Sequence, residues 1–294
     1  MADASTATTR IVDAEWLRTH LADPDVVVVE LAHTPAGEAE SPAARPEVVP
    51  GARRAHWKDL LWHRSRREFP SARELAERLH ALGARSSSTV VFAGDPPQFA
   101  AYALWVAEAV GLGGDLRYLD GGLPAWAEAD RAPAPGPRAR AVASPSPGED
   151  LLPQGAPRTG LVAGRDEVRA AIGTATVLLD LRSPEEYSGL RVSPDTEPVD
   201  HGAERAGHIP GALSLPVLDL LDERGLLRPV AEIRARTAEL GIDGAAEIIA
   251  YCRLSHRAAL GWLVFTELLG DHRVRVYDGS WTEWGSLVGA PVES

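Results

Sequence analysis

The sequence predicts an α/β protein built twice over, each half a mainly parallel sheet with helices on both faces. Three observations carry that expectation. The segment Tyr118-Leu-Asp-Gly-Gly-Leu-Pro-Ala-Trp126 recurs as Val276-Tyr-Asp-Gly-Ser-Trp-Thr-Glu-Trp284, with Asp120 and Asp278 in register at an offset of 158. Val49-Pro-Gly-Ala52 recurs as Ile209-Pro-Gly-Ala212 at an offset of 160. Self-similarity at a fixed spacing marks a repeated folding unit. Within each copy, β-branched runs alternate with helical patterns, which implies strand–helix–strand crossovers and a sheet covered on both sides. A length of 294 residues fits two domains of about 150 residues each.

Taken in order, the first copy opens with the strand Val26 to Val29, ending in the acid Glu30. A helical stretch precedes the second apolar strand, Val90-Val-Phe92, and a further helix carries Leu104, Trp105 and Val106. Between Arg131 and Pro157 stand Pro133, Pro135, Pro137, Pro145, Pro147, Pro153 and Pro157 among Ala, Ser and Gly. Such a composition holds neither a helix nor a sheet ladder and predicts a semi-rigid linker. The expected division is therefore 1–132, linker 133–157, and 158–294. The second copy repeats the order with Val177 to Leu179 ending in Asp180, then Ile248-Ile-Ala-Tyr251, then a helix carrying Trp262, Leu263 and Phe265.

Composition narrows the function. Hydrophobic residues make up 45% and charged residues 24%, which is ordinary globular usage and argues against wholesale disorder. Thirty Lys and Arg against 42 Asp and Glu give a net charge of -12, which repels phosphate backbones and anionic lipid, so no nucleic-acid or membrane partner is expected. No apolar run reaches the roughly 18 residues of a membrane span. The opening MADASTATTR shows neither a basic stretch nor an apolar core of a secretory signal, and a cytoplasmic location is expected. A single cysteine, Cys252, excludes an internal disulfide and a Cys-rich zinc site. The nine His show no H-E-x-x-H spacing, and neither a metal nor another cofactor is expected.

Chemistry concentrates where a buried strand stops at that cysteine, in Tyr251-Cys252-Arg253-Leu254-Ser255-His256-Arg257, before a helix of about three turns. Ligands of open α/β sheets bind outside the carboxyl ends of the strands. With no proline in the loop, the amides of Arg253 through Arg257 are free to form an anion-binding nest at a helix N-terminus. The helix dipole, Arg253, Arg257 and His256 would favour thiolate over thiol, lowering a pKa of about 8.5 to roughly 3.5–7.5. A buried, inert thiol is the alternative; two arginines and a histidine within five residues argue against it. The spacing Cys252 to Arg257 is C-x4-R, with Ala258 where a C-x5-R phosphatase has its arginine. The tighter loop suits one sulfur atom rather than a tetrahedral phosphate.

At these residues the chain resembles the tandem-domain rhodanese-like sulfurtransferases, the thiosulfate and 3-mercaptopyruvate sulfurtransferases. Arg205-Ala-Gly-His-Ile-Pro-Gly-Ala212 is similar to the family's GHIPGA turn, Val274 to Trp284 to its C-terminal signature, and Cys252 to Arg257 to its C-R-x-G-x-R loop. The resemblance implies two tandem rhodanese-like domains with only the second catalytic. Gly94-Asp95-Pro96-Pro97 stands where the second copy has its cysteine. It also implies a ping-pong displacement: Cys252 takes a sulfane sulfur from a small anionic donor and passes it to cyanide, a thiol or a sulfur-acceptor protein. With no second cysteine, the acceptor must be external.

Several residues get expectations from the same resemblance. Arg253 and Arg257 would hold the donor and fix the loop, with Leu254, Ser255 and His256 completing it. Asp180 and Arg182, in a D-x-R-S-P-x-E-Y element, would form a structural pair or touch substrate. Arg205 would bind the donor's charged end or be solvated. His208 is expected to be a structural hydrogen-bonder, and Trp281 to pack or wall the cleft. Arg64, Arg66 and Arg67 read as a solvated basic stretch. Ser255 replaces the family glycine, His256 would add a cation titrating near physiological pH, and Ala258 replaces Ser or Thr. Leu254 stands where thiosulfate-preferring members carry a second basic residue, but Arg253 in place of the small residue of mercaptopyruvate enzymes, and Glu186 near their substrate-binding arginine, lean towards thiosulfate as donor. A rhodanese-fold sulfur carrier or binding module with little turnover is the second reading.

Overall fold

The computed structural model describes residues 10–33, 49–130, 150–194 and 200–294. Two five-stranded sheets form, and every strand pairing in them is parallel. The first contains β1 (Ile11–Val12), β2 (Val26–Ala32), β3 (Arg53–His56), β4 (Thr89–Gly94) and β5 (Asp115–Leu119), in the order β1-β5-β4-β2-β3. The second contains β6 (Val162–Ala163), β7 (Val177–Asp180), β8 (Leu213–Ser214), β9 (Ile248–Tyr251) and β10 (Val274–Tyr277), in the order β6-β10-β9-β7-β8. Strand order is identical, so the repeated segments are repeats of structure as well as of sequence.

Helices surround both sheets. The first half carries α1 (Ala14–His20), α2 (Trp57–Leu61), α3 (Ala72–Ala81), α4 (Gln98–Ala109) and α5 (Gly122–Asp130). The second carries α6 (Arg165–Ala171), α7 (Pro184–Tyr187), α8 (Val230–Glu239), α9 (His256–Leu263) and α10 (Ser280–Trp284). Local signals explain several starts. Ser71 and Glu74 form a reciprocal capping box at α3, and Ser183 and Glu186 do the same at α7, which has Pro184 in its first turn. Strand β2 is buried along all but its first residue, as expected of a Val-rich strand covered on both faces.

Helices α4 and α9 occupy equivalent places, each following the central strand β4 or β9, and both are apolar nearly all round. Each packs against its own sheet and against the other, so a single apolar core runs through both halves. That core includes Trp57, Phe99, Trp105, Leu181, Cys252 and Trp262.

The stretch 133–157, read as a linker, lies outside the described residues up to 149. Its remainder, residues 150–157, is an extended strap along the first half. Leu152 is buried, the Gly113 amide donates to Pro153 O at 2.7 Å, and the Gly155 amide donates to Gly111 O at 2.7 Å. Among the described residues no helix is long and apolar enough to cross a membrane.

Candidate active site

Strand β9 ends at Tyr251 in the middle of the second sheet and delivers Cys252 to its carboxyl edge. Contacts with the start of α10 hold the next two residues. The Cys252 amide donates to Ser280 Oγ (3.2 Å) and its carbonyl accepts from the Trp281 amide (2.9 Å). The Arg253 carbonyl accepts from the Thr282 amide (3.2 Å) and from Thr282 Oγ1 (2.8 Å). Beyond that point, the amides of Leu254, Ser255, His256, Arg257 and Ala258 find no acceptor among the described residues. The first amide to be satisfied is that of Ala259, which donates to Ser255 O at 2.7 Å. Unclaimed amides in the first turn are inherent to a helix N-terminus, and together with the helix dipole they favour a nearby anion.

Cys252 itself is 1% exposed. One side of it belongs to the shared apolar core. A charge lies nearby in Arg257. Burial opposes that guanidinium's charge, but two hydrogen bonds to Glu186 (2.6 and 2.8 Å) and the neighbouring Cys252 sulfur hold it firmly cationic. Glu186 is fully buried, and although burial pushes its carboxyl up, Arg257 outweighs this and brings it below the ordinary carboxylate value.

Ser255, at the N-cap of α9, has φ 72° and ψ -17°, the left-handed region expected where the family pattern has glycine. A side chain there costs about 1–2 kcal/mol. The hydroxyl offsets it by donating to Asp278, with Oγ 2.6 Å from the backbone oxygen and 2.8 Å from Oδ1. Asp278 is in turn held from the first half: Arg67 Nη1 donates to Oδ2 (2.6 Å), and the Tyr102 hydroxyl donates to Oδ1 (3.3 Å) while accepting from Trp62 Nε1 (2.9 Å).

The geometry has counterparts in known proteins. A family model described as Rhodanese-like domain matches residues 164–287, the stretch containing β7, the cysteine loop and α10. A Mycolicibacterium smegmatis protein named "Putative thiosulfate sulfurtransferase" is 37% identical over 284 residues, covering 96% of this chain and 97% of that protein. The chain belongs to the rhodanese-like family. Another relative, the "Sulfur carrier protein TtuD" of Thermus thermophilus, is 36% identical over 96% of this chain and 95% of its own. Among solved structures, the anaerobic ergothioneine biosynthesis enzyme of Chlorobium limicola, in complex with trimethyl histidine, superposes with a TM-score of 0.73 at 23% identity. That superposition covers 97% of this chain and 70% of that one. YnjE superposes with a TM-score of 0.71 at 23% identity, covering 97% of this chain and 68% of that one. At this identity both likenesses speak for the fold alone.

In this rhodanese-like chain the other expected site residues divide sharply. Arg253 and Leu254 are partly exposed on the loop, and Arg253 Nη2 lies 2.8 Å from His201 Nδ1 and 3.2 Å from His201 O. Arg182 lies beneath the loop. It is fully buried, its guanidinium making three hydrogen bonds to Asp180 and one to Gly207 O (2.7 Å), and packed over the Trp281 ring at 4.3 Å. These contacts are those of a structural pair with Asp180. Arg205 is a correction: neither donor-binding nor solvated, its guanidinium donates to the carbonyls of Trp284, Gly285, Leu287 and Ala290 at 2.6–3.2 Å, closing the chain after α10. His208 has its Nδ1 2.8 Å from Tyr187 O and its ring stacked on Tyr187. Trp281 is buried completely and its Nε1 donates to Arg205 O (2.9 Å), so it packs and does not line an open cleft.

His256 is the second correction. Its ring points into the first half, 4.4 Å from Trp57, 4.4 Å from Phe99 and 4.7 Å from Tyr102 between centroids. Burial first, then the charges of Arg67 and Arg257 with further contributions from His33 and Lys58, push it well below the ordinary histidine value. It is a neutral aromatic plug at physiological pH, not a titrating cation. Arg67 is the third, a partner of Asp278 rather than a member of a solvated stretch. Glu186 and Asp278 are the residues that the loop motif alone does not reveal. Their signals were the capping box at Ser183 and the recurrence of Asp120 as Asp278. A large cavity between the halves, lined by Phe69, Val110, Gln154, Thr159, Val162 and Arg275, contains none of the cysteine-loop residues, so cavity size does not locate the chemistry.

Proposed function

We propose that this protein is a sulfurtransferase that carries sulfane sulfur on Cys252, with thiosulfate favoured over 3-mercaptopyruvate as donor. The observation that carries the reading is the row of unclaimed amides from Leu254 to Ala258 directly after a strand-end cysteine, at the start of α9. In the first step the Cys252 thiolate attacks the outer sulfur of thiosulfate; the new S–S bond takes that sulfur, the old one breaks, and sulfite leaves with the electron pair. Cys252 then bears a terminal persulfide anion, which the loop amides, the α9 dipole and Arg257 stabilise as fixed donors. In the second step a thiophilic acceptor takes the terminal sulfur: cyanide becomes thiocyanate, or a thiolate becomes a persulfide, and the Cys252 thiolate returns.

Incubation with thiosulfate should add the mass of one sulfur atom, sensitive to cyanide, and Cys252→Ser should abolish the addition. Faster loading from 3-mercaptopyruvate at equal concentration would reverse the donor preference; no loading from either would refute the reading. The near-complete burial of Cys252, and the likeness to a relative named a sulfur carrier protein, favour a second reading. In it the persulfide forms but is handed to a docked protein with little turnover on cyanide. Single-turnover loading without steady-state thiocyanate production would select it.

A further inference from the structure

Asp120 and Asp278 occupy the same place in the two repeats, directly after β5 and β10, and each reaches into the opposite half. Asp120 Oδ1 accepts from the Leu227 amide at 3.0 Å, and Asp278 accepts from Arg67 and Tyr102. The two contacts form a reciprocal clasp across the repeat boundary. It is asymmetric in one respect. Among the described residues only Asp278 also grips the loop after its own central strand, through Ser255 Oγ. The equivalent loop of the first half, Asp95-Pro96-Pro97, makes no such bond to Asp120.

From this chain of contacts we infer that Asp278 is a positioning residue through which the first half sets the shape of the cysteine loop. Arg67 and Tyr102 fix the carboxylate, the carboxylate and its own carbonyl hold the Ser255 hydroxyl, and that hold keeps Ser255 in a backbone conformation that a side chain otherwise disfavours. All five unclaimed amides, those of 254–258, lie within three residues of Ser255, so their aim depends on its φ. A family glycine at this position needs no such clasp. The serine makes the loop conditional on the partner half. The inference rests on the sulfur-transfer reading for its purpose, but its test does not.

Cys252 is the sole cysteine, so iodoacetamide labelling against pH reports its thiolate alone. Loss of a nearby carboxylate by itself would favour the thiolate and move the labelling midpoint down. Loss of loop shape removes amide donors and moves it up. For Asp278→Asn we expect the midpoint to rise by about one unit, a tenfold loss of thiolate at a given pH below it. In the Ser255→Gly background, where the left-handed turn needs no clasp, the same exchange should move the midpoint by less than a third as much. The other charges around the loop, Arg253, Arg257, Glu186, Asp180 and Arg182, are the same in both backgrounds. If Asp278→Asn does not fold, Arg67→Gln stands in; because losing a cation raises the midpoint by itself, the rise must again be at least three times larger than in the Ser255→Gly background. An unchanged or lowered midpoint, or an equal shift in both backgrounds, overturns the inference. Wild-type protein that labels as described yet loads no sulfur from thiosulfate would overturn only the proposed function.

Discussion

Removing Glu186 leaves Arg257 as a buried charge with no counter-ion, and the size of that penalty follows from the geometry. The Glu186 side chain is 0% exposed and that of Arg257 12%, and they meet in two short hydrogen bonds of 2.6 and 2.8 Å. Breaking a buried pair from one side costs about 3–5 kcal/mol, against about 0–1 for an exposed pair. For Glu186→Ala the upper range applies, because the alanine supplies no acceptor; Glu186→Gln retains one and should sit lower. At about 2–4 °C per kcal/mol for a chain approaching this size, Glu186→Ala should melt roughly 6–20 °C early. Removing both partners in Glu186→Met/Arg257→Met should recover much of the loss, since no charge is then stranded. Urea unfolding of wild type, both single variants and the double variant gives the coupling energy directly. Acid should mimic the single variant: the folded carboxyl lies below its ordinary value of 4.5, so this contribution is present above that pH and is lost as pH falls through the folded value. Singles each costing under about 1 kcal/mol, with an additive double, would refute the assignment of this pair as a buried, mutually dependent one.

Two further expectations concern residues whose roles the fold revised. His256 is held neutral, so its contribution is complete above about pH 6.5 and drains away below it, by at most about 1.4 kcal/mol per pH unit. Melting curves between pH 5 and 7 should therefore be flatter in His256→Leu than in wild type, and parallel profiles would count against a buried neutral imidazole. Arg205→Ala removes a donor from four carbonyls around the end of α10, of which those of Trp284 and Leu287 keep a backbone donor, and should lower the urea midpoint by the equivalent of about 1–3 kcal/mol while leaving the KM for thiosulfate unchanged. A raised KM with unaltered stability would return Arg205 to the donor site.

Much of the architecture was legible because it depends on local pattern. The recurrence of Asp120 as Asp278 announced the duplication, and Val26 to Val29 and Ile248 to Tyr251 announced buried strands. Those strands lie in sheets of identical order. The strand-end position of Cys252 and the pairing of Asp180 with Arg182, two residues apart, were likewise within reach, as was the positive φ of Ser255. What escaped was the choice of partner across long sequence separations. Arg67 finds Asp278 211 residues away, Arg257 finds Glu186 71 away, and Arg205 finds carbonyls 79–85 away. An arginine looks the same in sequence whether it meets a substrate, solvent or a helix end; only tertiary packing, within one half or between the two, decides. His256 shows the same limit, since nothing near it in sequence reveals the aromatic cage supplied by Trp57, Phe99 and Tyr102.

That cage has a mechanical consequence. Because the first residue of α9 is seated in the opposite repeat, the launching point of the helix travels with a body that contributes no thiol of its own. Slight slippage at the seam would tilt the dipole and scatter the amides while both sheets stayed intact. Mild urea should thus silence the cysteine before the far-ultraviolet helical signal begins to fall, making chemistry the most sensitive gauge of how firmly the two repeats are joined.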